Sequence, residues 1–258
     1  MKKWNGVFAA VVVMTAMLVT GGCADGDGDA APPERLDIET SAESVSATVS
    51  QKAEADSSRT LIAYFTWADN TVVEDKDAAV QSALDHYESI GDSSNYTGTD
   101  AVSSASVVQP GNLAQMADWI QQEIGGDLFS IQVKDPYPSD YDECMDRAAD
   151  ERGDNARPEL TGQVEDIDAY DVVAIGYPNW WSGVPAPVLS FIENHDLSGK
   201  KIILFCSHGT GGLAGSVREI TDELPLNCNV EKNVLGIYRA EIPDGQPKVQ
   251  QWLKEIGY

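Results

Sequence analysis

Basic residues are scarce in this sequence. Its 17 lysines and arginines stand against 42 aspartates and glutamates, which gives a formal net charge of −25 at pH 7. A surface of that sign repels phosphate backbones. We therefore expect no nucleic acid among the partners and favour basic proteins or neutral small molecules.

Cysteine is also scarce. After Cys23 the chain has only Cys144, Cys206 and Cys228, whose spacing matches no metal-binding motif and no disulfide framework. We predict no metal site, and whether one cysteine pair forms a disulfide stays open.

The N-terminal apolar run is too short to cross a membrane comfortably. From Val7 to Val19 it would form about 20 Å of helix, whereas the hydrocarbon core of a bilayer is about 30 Å thick. Lys2 and Lys3 precede the run, so residues 1–23 are typical of an export signal. The run ends in LVTGGC, which resembles the lipobox of bacterial lipoproteins except for Thr20, where that family usually has Leu. This resemblance implies a lipidated Cys23; an ordinary cleaved signal peptide is the alternative.

Residues 24–58 contain no aromatic side chain. They are acidic and small, and they offer too little apolar area to fold alone. We predict a disordered acidic tether here, followed by one folded domain at 59–258.

Short apolar runs rich in β-forming residues recur through that domain. They are separated by helical patterns, of which the clearest begins at Asn112 and stops at Gly125. This alternation predicts an α/β fold with a parallel sheet and helices on both faces. The predicted strands are 60–65, 127–133, 171–177, 201–207 and a weaker fifth at 234–238.

Parallel sheets of this kind bind ligands at the carboxyl ends of their strands. The candidate loops are those after Phe65, Tyr177 and Ser207. The first, YFTWADNT, resembles the phosphate loop of flavodoxins, but Asp69 would occupy its glycine position. A carboxylate about 4 Å from a phosphate costs on the order of 4 kcal/mol at an effective dielectric near 20, which is too much for this loop to hold the phosphate by itself.

A second stretch, PGNL at 110–113, begins the best helix, where free N–H groups and the helix dipole favour an anion. We infer that residues 69–109 are an insertion that splits the phosphate loop and carries its own helix at 77–90. The half before the insertion is Thr66, Trp67 and Ala68, and the half after it is Gly111 and Asn112. Asn112 would also serve as a helix N-cap.

Residues 60–258 are therefore similar to the flavodoxin-like family, and within it to bacterial flavodoxins with an interrupted phosphate loop. The resemblance implies a flavodoxin-like three-layer sandwich, a five-stranded parallel sheet of order 2-1-3-4-5, and FMN as the cofactor. The sequence departs from the family at Leu113, where a threonine is frequent.

The stretch GYPNWWSGVPAP places two tryptophans in the loop after the third strand. In flavodoxin-like proteins this loop lies against the isoalloxazine ring, so the resemblance assigns Pro178, Asn179, Trp180 and Trp181 to the ring. The stretch also resembles the Pro-x-x-Trp-x-Gly-Val-Pro-Ala run of flavin-dependent quinone reductases. We expect one indole at the ring and one in the core; which is which stays open.

The loop CSHGTGGLAGS resembles the glycine-rich loop that closes over the far edge of the flavin. This assigns Ser207, His208, Gly209, Gly211 and Gly212 to the cofactor. His208 is either a proton-transferring group or a hydrogen-bonded loop histidine. Cys206 is expected in the core, and His86 and His195 at the surface.

The resulting hypothesis is an FMN-binding electron-transfer flavoprotein, lipid-anchored outside a bacterial cytoplasmic membrane, whose partner is a redox protein or a quinone. A cluster of carboxylates near the ring would disfavour its anionic reduced form, although charges beyond about 8 Å are screened. The alternatives are an NAD(P)H-dependent FMN quinone or nitro-compound reductase, and a flavin-free surface interaction module.

Overall fold

The computed structural model describes residues 59–89 and 106–258. The predicted signal peptide with Cys23, the tether at 24–58 and the 90–105 part of the predicted insertion lie outside the described residues. Within the described part, no helix has the length and apolar character needed to cross a bilayer.

Six strands form one parallel sheet, in the order β2-β1-β3-β4-β5, with β6 also paired to β4. This confirms the predicted order 2-1-3-4-5. The fifth position is shared by two segments, because β5 pairs with the start of β4 and β6 with its end. The strands are β1 (Thr60–Tyr64), β2 (Asp127–Ser130), β3 (Val172–Pro178), β4 (Lys201–His208), β5 (Asn229–Val230) and β6 (Leu235–Tyr238).

Helices cover both faces of the sheet, as predicted. Alternate residues of β1 divide between two hydrophobic clusters: Leu61 and Ala63 face one, and Ile62 faces the other. Because successive side chains of a strand point to opposite faces, the sheet buries apolar area on both sides. The helices are α1 (Lys76–Ser89), α2 (Asn112–Ile124), α3 (Tyr141–Gly153), α4 (Ala186–Asn194), α5 (Ser216–Glu223) and α6 (Gln246–Glu255).

The clusters show which helices lie on which face. Helices α2 and α6 supply the cluster around Ile62, while α1, α3, α4 and α5 supply the cluster around Leu61. Strand β2 lies at the edge, is exposed at its first two residues and ends at Ser130, three residues before the end of the predicted strand at 127–133.

The prediction of a surface position for His195 is wrong. It is 8% exposed, its Nδ1 lies 2.7 Å from the Phe191 carbonyl, and its Nε2 accepts the Val164 N–H at 3.0 Å. Both contacts are satisfied when Nδ1 donates to the Phe191 carbonyl and Nε2 accepts from Val164. Cys206 is fully buried, as expected, and burial raises the pKa of its thiol, which keeps it protonated.

Candidate functional site

The carboxyl ends of β1, β3 and β4 meet at one edge of the sheet. The register pairs Tyr64 with Gly176 and Pro178 with Ser207, so the strands end close together. The Asn179 N–H then donates to the Ser207 carbonyl at 2.9 Å, which joins the second and third loops directly. The structure therefore brings the candidate loops together as the sequence predicted.

The halves of the divided first loop are in contact. A Cβ atom on Gly111 would lie 2.1 Å from Thr66 Oγ1, closer than any two such atoms can approach, so only glycine fits there. The Gln109 side chain, at the end of the predicted insertion, donates to the Ala68 carbonyl at 2.9 Å and to the Asp69 carboxylate at 2.8 Å. The first and last residues of the predicted insertion, Asp69 and Gln109, are thus bonded to each other.

The Asp69 carboxylate is bonded on both oxygens. Besides the bond from Gln109, it accepts a hydrogen bond from Ser130 Oγ, at the end of the edge strand β2, at 2.6 Å. The carboxylate that would repel a phosphate is thus held by two donors of the protein. Asn70, which sequence reasoning missed, anchors the same turn by donating to the carbonyls of Thr66 and Ile131 and accepting the Val133 N–H.

Helix α2 begins at this contact. Asn112 is its first helical residue and Gly111 is its N-cap, one position earlier than the predicted cap. Gly111 has no side chain to cap the helix, and no acidic residue lies in the first turn. The amide of buried Asn112 lies 3.4 Å from Ser207 Oγ, which links the helix start to the loop after β4. Uncapped N–H groups at a helix start favour an anion.

The two tryptophans have different environments. Trp180 is 8% exposed and packs edge-on against Phe65 and Tyr137, so it is the core tryptophan. Trp181 is 48% exposed, and its indole N–H donates to the Met145 carbonyl at 3.0 Å. Trp181 is therefore the more accessible indole of the pair.

The turn that presents Trp181 has an unusual backbone. Trp180 and Gly183 exchange hydrogen bonds at 3.2 and 2.9 Å, and between them Trp181 and Ser182 have φ angles of 51° and 61°. Non-glycine residues with such angles cost about 1–3 kcal/mol each and concentrate at ligand sites. The fold thus holds the backbone of Trp181 and Ser182 in a strained conformation that the surrounding packing must maintain.

Glu219 on α5 holds this turn in place. Its carboxylate accepts the Val184 N–H at 2.9 Å and pairs with the Arg152 guanidinium. Burial acts to raise the pKa of Glu219, but the hydrogen bonds from Arg152 and from the Val184 N–H outweigh it, and the pKa lies below its ordinary value of 4.5.

We predict that the stabilisation from Glu219 depends on pH. A carboxyl group with a lowered folded-state pKa contributes above its unfolded pKa, and that contribution is lost as pH falls through the folded value. The difference in melting temperature between wild type and Glu219→Gln should therefore shrink as pH falls from 6 toward 3. Glu223→Gln, on the same helix but not bonded to the turn, is the matched control. A constant difference across that range would contradict this role.

A cavity of about 230 Å³ lies under the loops. Several residues predicted for the cofactor line it: Trp67, Asn179, Trp180, Trp181, Gly209 and Gly211. The other predicted residues are not among the lining residues: Thr66, Ala68, Gly111, Asn112, Pro178, Ser207, His208 and Gly212. His208 bonds to the Gly209 carbonyl and lies beside Tyr238, which favours the loop-histidine interpretation.

Sequence reasoning missed one wall of the cavity. The hydroxyl groups of Tyr87 on α1 and Tyr141 on α3 are 2.8 Å apart there, and Arg239 follows β6. Among the lining residues that the structure describes, Arg239 is the one with a charge, and none is a carboxylate. In residues 59–89 and 106–258, no cluster of His, Cys, Asp and Glu is arranged to hold a metal ion.

Comparison with known proteins gives one family and several solved structures. The family model described as flavodoxin matches residues 101–255. No curated protein matches the chain. A putative flavoprotein from Bacteroides eggerthii is 26% identical, with a TM-score of 0.53 over 78% of this chain and 99% of that one.

A putative flavoprotein from Bacteroides uniformis is 23% identical, with a TM-score of 0.53 over 76% of this chain and 98% of that one. A flavoprotein from Lactobacillus acidophilus in complex with FMN is 19% identical, with a TM-score of 0.47 over 76% and 98%. Because the family model spans more than half of the sequence, this chain belongs to the flavodoxin family, whose cofactor is FMN.

Proposed function

We propose that the chain is an FMN-binding electron-transfer protein. The observation that supports this best is the contact between Thr66 and Gly111, because Gly111 is the N-cap of α2 and Thr66 directly precedes Trp67, which lines the cavity. An anion site next to an aromatic-lined cavity suits a flat ring that bears a phosphate. Bound FMN would supply the redox chemistry, since its ring accepts and releases electrons.

The size of the cavity fits a cofactor whose ring and phosphate occupy separate places. Pockets that hold a whole drug-sized ligand measure about 300–1,000 Å³. The cavity, at about 230 Å³, is smaller and suits the ring alone, while the phosphate would lie at the N-terminus of α2. Trp181 would stack on the ring, the N–H groups of the first turn of α2 would hold the phosphate, and the glycine-rich loop would approach the ring with its backbone.

The surface beside the cavity favours a carrier over a reductase. Helix α3 lines the cavity with Tyr141 and Met145, and its exposed side carries Asp142, Glu143 and Asp146. An acidic face beside a half-exposed indole suits a basic redox protein that docks transiently over the ring edge, because charge complementarity speeds encounter.

The test is the absorption spectrum and FMN affinity of the purified full chain. We expect bound, yellow FMN and much weaker binding of riboflavin, which lacks the phosphate. A chain that binds no flavin would refute the proposal and support a flavin-free surface module. Stopped-flow mixing with NADPH and with menaquinone analogues then separates the two redox functions, because rapid hydride uptake from NADPH would identify a reductase.

We also propose a lipid anchor at Cys23 that holds the protein at the outer face of the cytoplasmic membrane. The LVTGGC stretch and the acidic composition of 24–58 support it. Cys23→Ser should move the protein from the membrane fraction to the soluble fraction, because acyl chains supply the membrane affinity. Cys228→Ser is the control for loss of a cysteine elsewhere. Retention of Cys23→Ser in membranes would contradict the anchor.

A further inference from the structure

Arg239 reaches the cavity from the strand farthest along the chain. Strand β6 pairs with the end of β4, with Tyr238 opposite His208, so the next residue emerges at the same edge as the cofactor loops. Arg239 is 5% exposed and lines the cavity. A Cβ atom on Gly209 would lie 3.3 Å from Arg239 Nη1, so the guanidinium packs against the glycine-rich loop.

The inserted segment positions this guanidinium. Arg239 Nη1 donates to the Tyr87 hydroxyl at 2.6 Å, and its guanidinium carbon lies 4.6 Å from the centre of the Tyr87 ring. The Tyr87 and Tyr141 hydroxyl groups are 2.8 Å apart, which extends the network to α3. Tyr87 belongs to α1, so the segment that interrupts the phosphate loop also supplies part of the cavity wall.

A buried arginine is costly and is retained where its charge or its fixed donors have a use. The described lining of this cavity is otherwise uncharged. The acidic residues of α3 lie on the solvent-exposed side of that helix and do not line the cavity. At neutral pH a flavin that takes two electrons from a redox partner and one proton from water carries one negative charge on its ring. A fixed cation beside the ring interacts more favourably with that form than with the neutral oxidised ring.

We propose that Arg239, positioned by Tyr87, raises the reduction potential of the bound flavin by stabilising its anionic two-electron-reduced form. This inference rests on the proposed FMN binding and specifies its redox consequence. It is opposite to what the net charge of −25 suggests, because screening leaves the nearest charge dominant.

Potentiometric titration of the FMN-loaded full chain tests the proposal. Arg239→Met should lower the preference for reduced over oxidised flavin about tenfold, which is about 30 mV for a two-electron couple. Arg239→Lys keeps the charge and should retain most of the wild-type potential. Arg218→Met removes one charge from an exposed arginine outside the cavity and is the matched control; it should leave the potential unchanged.

Tyr87→Phe keeps the ring but removes the hydroxyl that accepts from Arg239, and it should lower the potential by less than Arg239→Met does. A wild-type potential in Tyr87→Phe would overturn the positioning role of Tyr87. Equal potentials in wild type and Arg239→Met would overturn the proposal, as would an equal shift in Arg239→Lys and Arg239→Met. If Arg239→Met does not fold, Arg239→Gln is judged by the same criteria. A wild-type chain that binds no FMN would instead refute the proposed function.

Discussion

Asn112→Asp is expected to weaken FMN binding about a hundredfold or more. The side chain at this position is 1% exposed at the first residue of α2, beside the proposed phosphate site. A carboxylate about 4 Å from a phosphate costs on the order of 4 kcal/mol at an effective dielectric near 20, and each 1.4 kcal/mol is tenfold in affinity. Titration of the protein with FMN, followed by quenching of flavin fluorescence, measures the effect.

Two comparisons distinguish repulsion of the phosphate from a general loss of structure in the variant. Riboflavin has the same ring without the phosphate, so its affinity should change little in Asn112→Asp. Asn233→Asp adds the same charge at an exposed position and should bind FMN like the wild type. Unchanged FMN affinity in Asn112→Asp would refute the assignment of PGNL to the phosphate.

Gly111→Ala is expected to destabilise the fold by about 1–3 kcal/mol, the usual cost of overpacking a well-packed site. The added Cβ would lie 2.1 Å from Thr66 Oγ1 and within 2.9 Å of its Cβ, so the whole side chain must move. Thr66 is fully buried and β-branched, and it has little freedom to do so. Denaturant unfolding measures the loss, and FMN affinity should fall with it, because the same contact shapes the phosphate site.

Gly153→Ala is the matched control, since a Cβ there meets nothing within 4 Å. The double variant Thr66→Ala/Gly111→Ala removes both outer atoms of the threonine and should recover part of the stability lost in Gly111→Ala. If Gly111→Ala is as stable as Gly153→Ala, the two halves of the loop are not packed as the structure shows.

Local sequence was sufficient for the sheet. The apolar runs that became β1, β3 and β4 are continuous because those strands are buried on both faces, and such runs are conspicuous in a sequence. The fifth position was harder to predict. The predicted strand at 234–238 corresponds to β6, whereas β5, with the single apolar residue Val230, was missed because two residues give no pattern.

The sequence also identified candidate residues in the loops after β1, β3 and β4, but it could not assign their roles. Trp180 and Trp181 are chemically identical neighbours, and only the tertiary structure shows that Trp180 is buried and Trp181 half-exposed, although both line the cavity. His195 was misplaced because a histidine at the end of a helix gives no local sign that Phe191 and Val164 will enclose it.

Tyr87 and Arg239 are 152 positions apart in the chain, and no local pattern joins them. One signal was available for Arg239: it directly follows a predicted strand, at the edge where the other loops had been placed. No such signal existed for Tyr87, whose helix lies within the insertion.

The sequence by itself determined the parallel sheet, the edge proposed for the cofactor and the loops at that edge, because apolar runs and helix starts are patterns of neighbouring residues. The tertiary structure alone decided which indole is presented, how Gly111 fits against Thr66, and which charge enters the cavity. These features depend on contacts between segments distant in the chain, and such contacts exist only after the sheet and the inserted helix have packed.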